Sequence, residues 1–137
     1  MVIEKRMPMK SCYIHIPFCK TICSYCDFCK FYYNKKWILK YLEQLQKEID
    51  LNYKGEKLST IYIGGGTPTS LDYNELKYLL DIIKKLKLSN NYEYTIEANV
   101  ETLDLDKIKL LKEYGINVDS LKIKSSKDSN RKKGWYK

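Results

Sequence analysis

Four of the chain's five cysteines fall within eleven positions, in HIPFCKTICSYCDFCKF at residues 15–31. Thiols this closely spaced hold metal or carry redox chemistry more often than they pair as disulfides, unless the chain is exported. The opening MVIEKRMPMK has no apolar segment of the kind a secretory signal needs, so a cytoplasmic location is expected. Two registers compete. Cys19, Cys23 and Cys26 read C-x3-C-x2-C, whereas Cys23, Cys26 and Cys29 read C-x2-C-x2-C. The second is the run that supplies three ligands in ferredoxin-type clusters, with a fourth cysteine elsewhere. All four together could instead close a tetrahedral zinc site. Spacing alone leaves these open.

The surroundings favour the first register. A ferredoxin or zinc site takes four protein ligands and closes itself off, while C-x3-C-x2-C supplies three and leaves one iron of a 4Fe–4S cluster for an outside ligand. The run GGGTPT at residues 64–69 suits such a ligand, because glycines let backbone N–H and C=O groups approach closely. Glu97 could accept hydrogen bonds from a hydroxylated or cationic group. Each feature also has a plain reading, as a tight strand-to-helix turn and a solvated strand end.

The elements that must position these residues alternate in type. SCYIHIP reads as a strand ending at Pro17. Trp37, Ile38, Tyr41, Leu42, Leu45 and Ile49 recur at helical spacing behind Asn34 as N-cap. STIYIGGG is a buried strand. Asp72 and Glu75 form a capping-box pattern ahead of Leu76, Leu79, Leu80, Ile83 and Leu86. YEYTIEANV follows as a strand, then Leu105, Ile108, Leu111 and Tyr114 as a helix with Gly115 at C′, and INVDSLKIKS as a fourth strand. The order β-α-β-α-β-α-β predicts an α/β fold with a parallel sheet and right-handed crossovers. In such folds chemistry gathers at the C-terminal strand ends, where the cysteines, the glycines and Glu97 all fall.

The length of 137 residues and 44% hydrophobic content suit one domain, and no apolar run is long enough to span a membrane. The net charge of +8 sits mostly in one place: residues 121–137 carry seven Lys or Arg and one Asp, whereas residues 1–120 are nearly balanced. The reading is a core over 1–120, with a cluster loop at 19–29 and a glycine loop at 64–69, and a lysine-rich, disordered tail over 121–137. Basicity confined to a tail argues against a specific nucleic-acid partner.

Taken in order and at these separations, YIHIPFCKTICSYCDF, IYIGGGTPT and YTIEAN resemble the radical S-adenosylmethionine enzymes, and more narrowly the oxygen-independent coproporphyrinogen-III oxidase family with its heme-chaperone branch. The likeness runs from about Ser11 to Asn117 and implies the N-terminal half of a parallel (β/α) partial barrel. It implies that Cys19, Cys23 and Cys26 hold a 4Fe–4S cluster whose open iron is chelated by S-adenosylmethionine. Reductive cleavage of that molecule then gives a 5′-deoxyadenosyl radical, the protein's part being to position and shield. By matching motif, Tyr13, Tyr25, Gly65, Gly66, Thr67 and Glu97 line the S-adenosylmethionine site, and Phe18 helps keep the cluster dry. Implied partners are a tetrapyrrole or heme and an electron donor such as a flavodoxin or ferredoxin. His15, alone on a strand, reads as a hydrogen-bonded core residue, and Cys12 as a small buried hydrophobe. The Y-C-D-F sequence resembles the chaperone branch, in which Cys29 is a free thiol unless it blocks the open iron as a fourth ligand.

The pattern decays after about Asn117. Lys122 stands where the family has glycine and Lys124 where it has glutamine, and two lysines on a buried parallel strand are costly. Members of the family also extend through further βα units and a C-terminal domain. The expectation is a truncated or frame-shifted product, with an unpaired sheet edge and bare apolar helix faces. Two functions follow from the resemblance: a radical enzyme acting on a porphyrinogen or related substrate, or a heme-trafficking or cluster-bearing protein without turnover.

Overall fold

The computed structural model describes the backbone of residues 2–6, 9–19, 31–32, 34–117, 122–124 and 135–136, with side chains described for 10–18 and 34–117. Among the described residues, eight strands and three α-helices run in the order β1 (Val2–Arg6), β2 (Met9–Ile16), β3 (Phe18–Cys19), β4 (Phe31–Tyr32), α1 (Lys35–Asn52), β5 (Lys57–Gly65), α2 (Tyr73–Ile83), β6 (Lys87–Asn99), α3 (Leu105–Glu113), β7 (Lys122–Lys124) and β8 (Trp135–Tyr136). Short 3₁₀ turns lie at Pro68–Ser70 and Val100–Thr102. The main sheet is ordered β1-β2-β5-β6-β7-β8. Its four central strands are parallel, and β1 and β8 run antiparallel along its two sides.

Local chemistry sets the helix ends. Asn34 Oδ1 accepts the Trp37 N–H at 3.2 Å to start α1. At α2 the capping box is complete: Asp72 Oδ1 accepts the Glu75 N–H at 2.8 Å, and Glu75 Oε1 accepts the Asp72 N–H at 2.9 Å. At the end of α3 the Gly115 N–H reaches the Lys112 carbonyl and the Ile116 N–H the Leu111 carbonyl, the paired bonds of a Schellman motif.

The sheet is two-faced. Cys12, Ile14 and Ile16 of β2, Ile61 and Ile63 of β5, and Tyr94, Ile96 and Ala98 of β6 are buried. They align in rungs such as Ile14–Ile63–Ile96. Against them pack Ile38, Leu42, Leu45 and Ile49 of α1 and Leu76, Leu79, Leu80 and Ile83 of α2. The alternate residues, including Tyr13, His15, Tyr62, Thr95 and Glu97, point the other way because strand side chains alternate.

Several expectations are corrected here. The helical spacing placed Trp37 on the packed face of α1, yet it is 57% exposed, since the core row begins at Ile38. In α3 the packed row is Leu110 and Leu111; Leu105 and Ile108 are exposed. The antiparallel β1 carries no strand signal of its own, because VIEKR is short, has three charged residues in five and is held through its pairing with β2. The fourth parallel strand is described only at Lys122–Lys124, in register with Glu97–Asn99.

Candidate functional site at the ends of the parallel strands

The strand ends of β2, β5 and β6 converge as the sequence predicts, and the glycine run is held by them. The Gly66 N–H donates to the Ile16 carbonyl at 2.7 Å and the Thr67 N–H to the Phe18 carbonyl at 2.9 Å. Ser70 Oγ, buried, donates to the Thr67 carbonyl at 2.6 Å. Gly65 adopts φ +116°, a conformation that a side chain rarely permits, and a Cβ there would lie 2.7 Å from the Ile16 carbonyl oxygen. At Gly64 a Cβ would come within 2.8 Å of the Tyr62 ring and 3.0 Å of the Glu97 carboxyl carbon. Only a bare backbone fits between these groups.

Glu97 is the centre of the arrangement. Its Oε1 accepts the Gly65 N–H at 3.2 Å, and its Oε2 accepts the Tyr62 hydroxyl. Tyr62 stacks on Tyr13, with ring centroids 6.0 Å apart and planes at 22°. Tyr13 Oη lies 2.9 Å from His15 Nδ1. Burial first, and then the Glu97 charge, raises the Tyr13 phenol above the ordinary tyrosine value. Tyr62 is raised further, by burial and then by its bond to Glu97. Both phenols are neutral at physiological pH, and Tyr62 donates to Glu97. On the same face, Thr95 is 1% exposed, and its Oγ1 has no hydrogen-bond partner among the described residues.

Of the residues predicted for the site, Tyr13, Gly65, Gly66, Thr67 and Glu97 come together on this rim. Tyr25, Cys23 and Cys26 lie outside the described residues, as does Cys29; Cys19 is described in its backbone alone. The backbone does fix where the cysteine segment leaves and returns. Phe18 and Cys19 pair in parallel with Phe31 and Tyr32, so both ends of the segment meet at one neck. Phe18 is buried and packs edge-on against Tyr41, with centroids 5.6 Å apart. The Tyr41 hydroxyl donates to the His15 carbonyl. Cys12 sits on the helix-covered face, and burial pushes its thiol up to about 11, so it holds no ready thiolate. An apolar recess of about 500 Å³ lined by Pro17, Phe18, Trp37, Lys40, Tyr41 and Gln44 flanks the neck and includes none of the rim groups.

Sequence reading missed Tyr62 and Lys107. Strand phase could have found the first, since Tyr62 shares the face of Gly64 while Ile61 and Ile63 take the core. Lys107 gave no signal: a lysine in a helix is expected in solvent.

A family model described as the radical SAM superfamily matches residues 13–135. The chain belongs to the radical SAM superfamily. Superfamily members use a 4Fe–4S cluster and S-adenosylmethionine, as the resemblance of the motifs implied. Among similar proteins, the heme chaperone HemW of Bacillus subtilis (strain 168) is 45% identical over 125 residues, which cover 88% of this chain and 33% of that one. Anaerobilin synthase of Escherichia coli O157:H7 is 31% identical over 140 residues, covering 97% and 32%. A solved structure described as "Coproporphyrinogen III oxidase (HemN) from Escherichia coli is a Radical SAM enzyme" superposes with a TM-score of 0.70 at 29% identity, over 78% of this chain and 26% of that one. The fold is thus part of a radical SAM barrel, and the chain spans about a third of the length of the curated relatives it matches. Among the described residues no helix is long and apolar enough to cross a membrane.

Proposed function

We propose that this radical SAM chain binds a 4Fe–4S cluster through Cys19, Cys23 and Cys26 and S-adenosylmethionine between its glycine turn and Glu97, in tetrapyrrole or heme metabolism. The observation that carries the reading is the clasp on Glu97 by Tyr62 and the Gly65 amide. A carboxylate is an acceptor-only group with about four acceptor positions, which suits a ligand's hydroxyl or amine hydrogens. The amides of Gly65, Gly66 and Thr67 are all engaged within the chain, which holds the turn in one shape for a ligand to meet. The glycines at 64 and 65 let the strand end pack directly against Tyr62, Glu97 and the Ile16 carbonyl, where any Cβ would clash. These groups fit S-adenosylmethionine, which carries both an amine and a ribose.

When bound, the cluster and an external electron donor such as a flavodoxin or ferredoxin supply the reductive cleavage of the sulfonium. The chain's own residues bind and orient. Glu97 fixes the hydroxylated end of the ligand, Tyr13 and Tyr25 border it, and buried Phe18 beside Cys19 excludes water from the neck. A second reading, heme carriage without turnover, is supported by the relatives named heme chaperones.

Anaerobic reconstitution with iron and sulfide, reduction, and electron paramagnetic resonance with and without S-adenosylmethionine test the first reading. A 4Fe–4S signal that changes on adding S-adenosylmethionine is expected. A cluster signal indifferent to it, or no cluster, overturns the assignment. Heme-dependent absorbance changes in a protein that does not cleave S-adenosylmethionine would favour the second.

A further inference from the structure

We propose that Lys107 is a positioning residue for this site: its buried ammonium ties the turn after the glycine run to the turn after β6 and so sets the gap between them. The proposal rests on the S-adenosylmethionine site described above. Lysine is among the residues least often buried, and a cation in the first turn of a helix opposes the helix dipole. Lys107 has both disadvantages. It is the third residue of α3, where its N–H is capped by Asp104 Oδ1 at 2.8 Å, and it is 6% exposed. A side chain held at that cost should be making bonds that an apolar one could not.

The bonds are to two carbonyls on different turns. Lys107 Nζ donates to the Thr69 carbonyl at 2.8 Å and to the Thr102 carbonyl at 3.0 Å. The hydroxyls of the same two residues meet at 2.7 Å. Thr69 Oγ1 also accepts the Asn99 N–H at 3.2 Å, and Thr102 Oγ1 donates to the Asn99 carbonyl at 3.0 Å. Thr69 lies two residues beyond Thr67, and Asn99 two beyond Glu97. The network therefore grips both walls of the site just behind the residues assigned to the ligand. Charge-assisted bonds are the strong ones, and a single ammonium shared by two turns holds them at a fixed separation.

Lys107→Met keeps the stem and removes the donors, and Lys107→Arg restores them. Amide hydrogen exchange of the full chain without ligand should show Ser70 and Asn99 exchanging at least about tenfold faster in Lys107→Met, the loss of roughly one charge-assisted bond. Ile63 and Ile96, in the strand interiors, should not change, and Lys107→Arg should recover the slow rates. In the reconstituted protein the Met variant should keep its iron content and bind S-adenosylmethionine about tenfold more weakly. If Lys107→Met does not fold, Lys107→Gln, which removes the charge and keeps a neutral donor, carries the same measurements. Unchanged exchange at Ser70 and Asn99 overturns the tie. Equal acceleration at Ile63 and Ile96 overturns it too, because Lys107 would then serve stability alone. Wild-type protein that takes no S-adenosylmethionine overturns the site reading and Lys107's role toward the ligand, while the exchange pattern still decides the tie itself.

Discussion

The two faces of the β2–β5–β6 sheet carry different chemistry on alternate residues of the same strands. Ile63 is fully buried against the helices, and its neighbour Tyr62 turns the other way to hold Glu97. On one face the residues are mostly aliphatic and interchangeable in kind, because burial of area is what is asked of them. On the other, the side chains at the rim are tied to specific partners: Tyr13 with His15, Tyr62 with Glu97, Glu97 with Gly65. Parallel sheets are usually covered on both faces. Here the face opposite the helices is polar and aromatic, which is the face a barrel turns inward. The lesson is that stability and recognition are written on the same strand with a period of two, and can be broken separately.

The largest expected effect is on the helix-covered face. Ile63→Ala should cost about 2–5 kcal/mol in urea denaturation, from lost burial and the cavity left behind. Next comes Gly65→Ala, which forces a side chain onto φ +116° against the Ile16 carbonyl. The backbone conformation alone should cost about 1–3 kcal/mol in the same assay, and ligand binding should fall as well. Glu97→Gln sharpens the comparison from the other side. It should leave the melting midpoint close to wild type but weaken S-adenosylmethionine binding, measured calorimetrically on reconstituted protein, by about tenfold or more. A melting loss as large as that of Ile63→Ala would mean that the two faces are not separable.

Tyr41 gives a pH-dependent version of the same test. Burial, and then the Glu48 charge, push its phenol up to about 12. A folded value above the unfolded one, about 10, favours the folded state fully below pH 10, and that contribution is lost as the pH rises towards 12. Wild-type stability should therefore fall more steeply between pH 10 and 12 than that of Tyr41→Phe, as followed by circular dichroism. The smallest effect belongs to Cys29→Ser: iron content after reconstitution should be unchanged, and a loss of iron would make Cys29 a ligand.

What the sequence revealed was what depends on near neighbours. Asn34, the Asp72–Glu75 pair and Gly115 each act within a few residues of their position, so pattern alone located the starts of α1 and α2 and the end of α3. The convergence of the glycine turn and Glu97 was legible too, because strand ends in a parallel fold share a rim. Long-range choices were not. Trp37 and Ile38 are adjacent apolar residues, and only the sheet beneath decides which is buried. Lys107 looks like any surface lysine until the carbonyls of Thr69 and Thr102, 38 and 5 residues away, are brought to it. The strand β1 depends on a partner that its own charged sequence does not advertise.

The neck at Phe18–Cys19 and Phe31–Tyr32 has a consequence for how the chain tolerates change. A segment that leaves and re-enters at one point transmits little of its own length to the sheet, and doubling a closed loop adds only about 0.6 kcal/mol of closure entropy. Extra residues placed between Cys29 and Phe31, past the three predicted ligands, should therefore leave the spacing of Cys19, Cys23 and Cys26 and the register of β2 with β5 untouched. The neck makes that stretch a natural port for a spectroscopic label or an inserted peptide, one that reports on the cysteine segment without straining the scaffold that carries it.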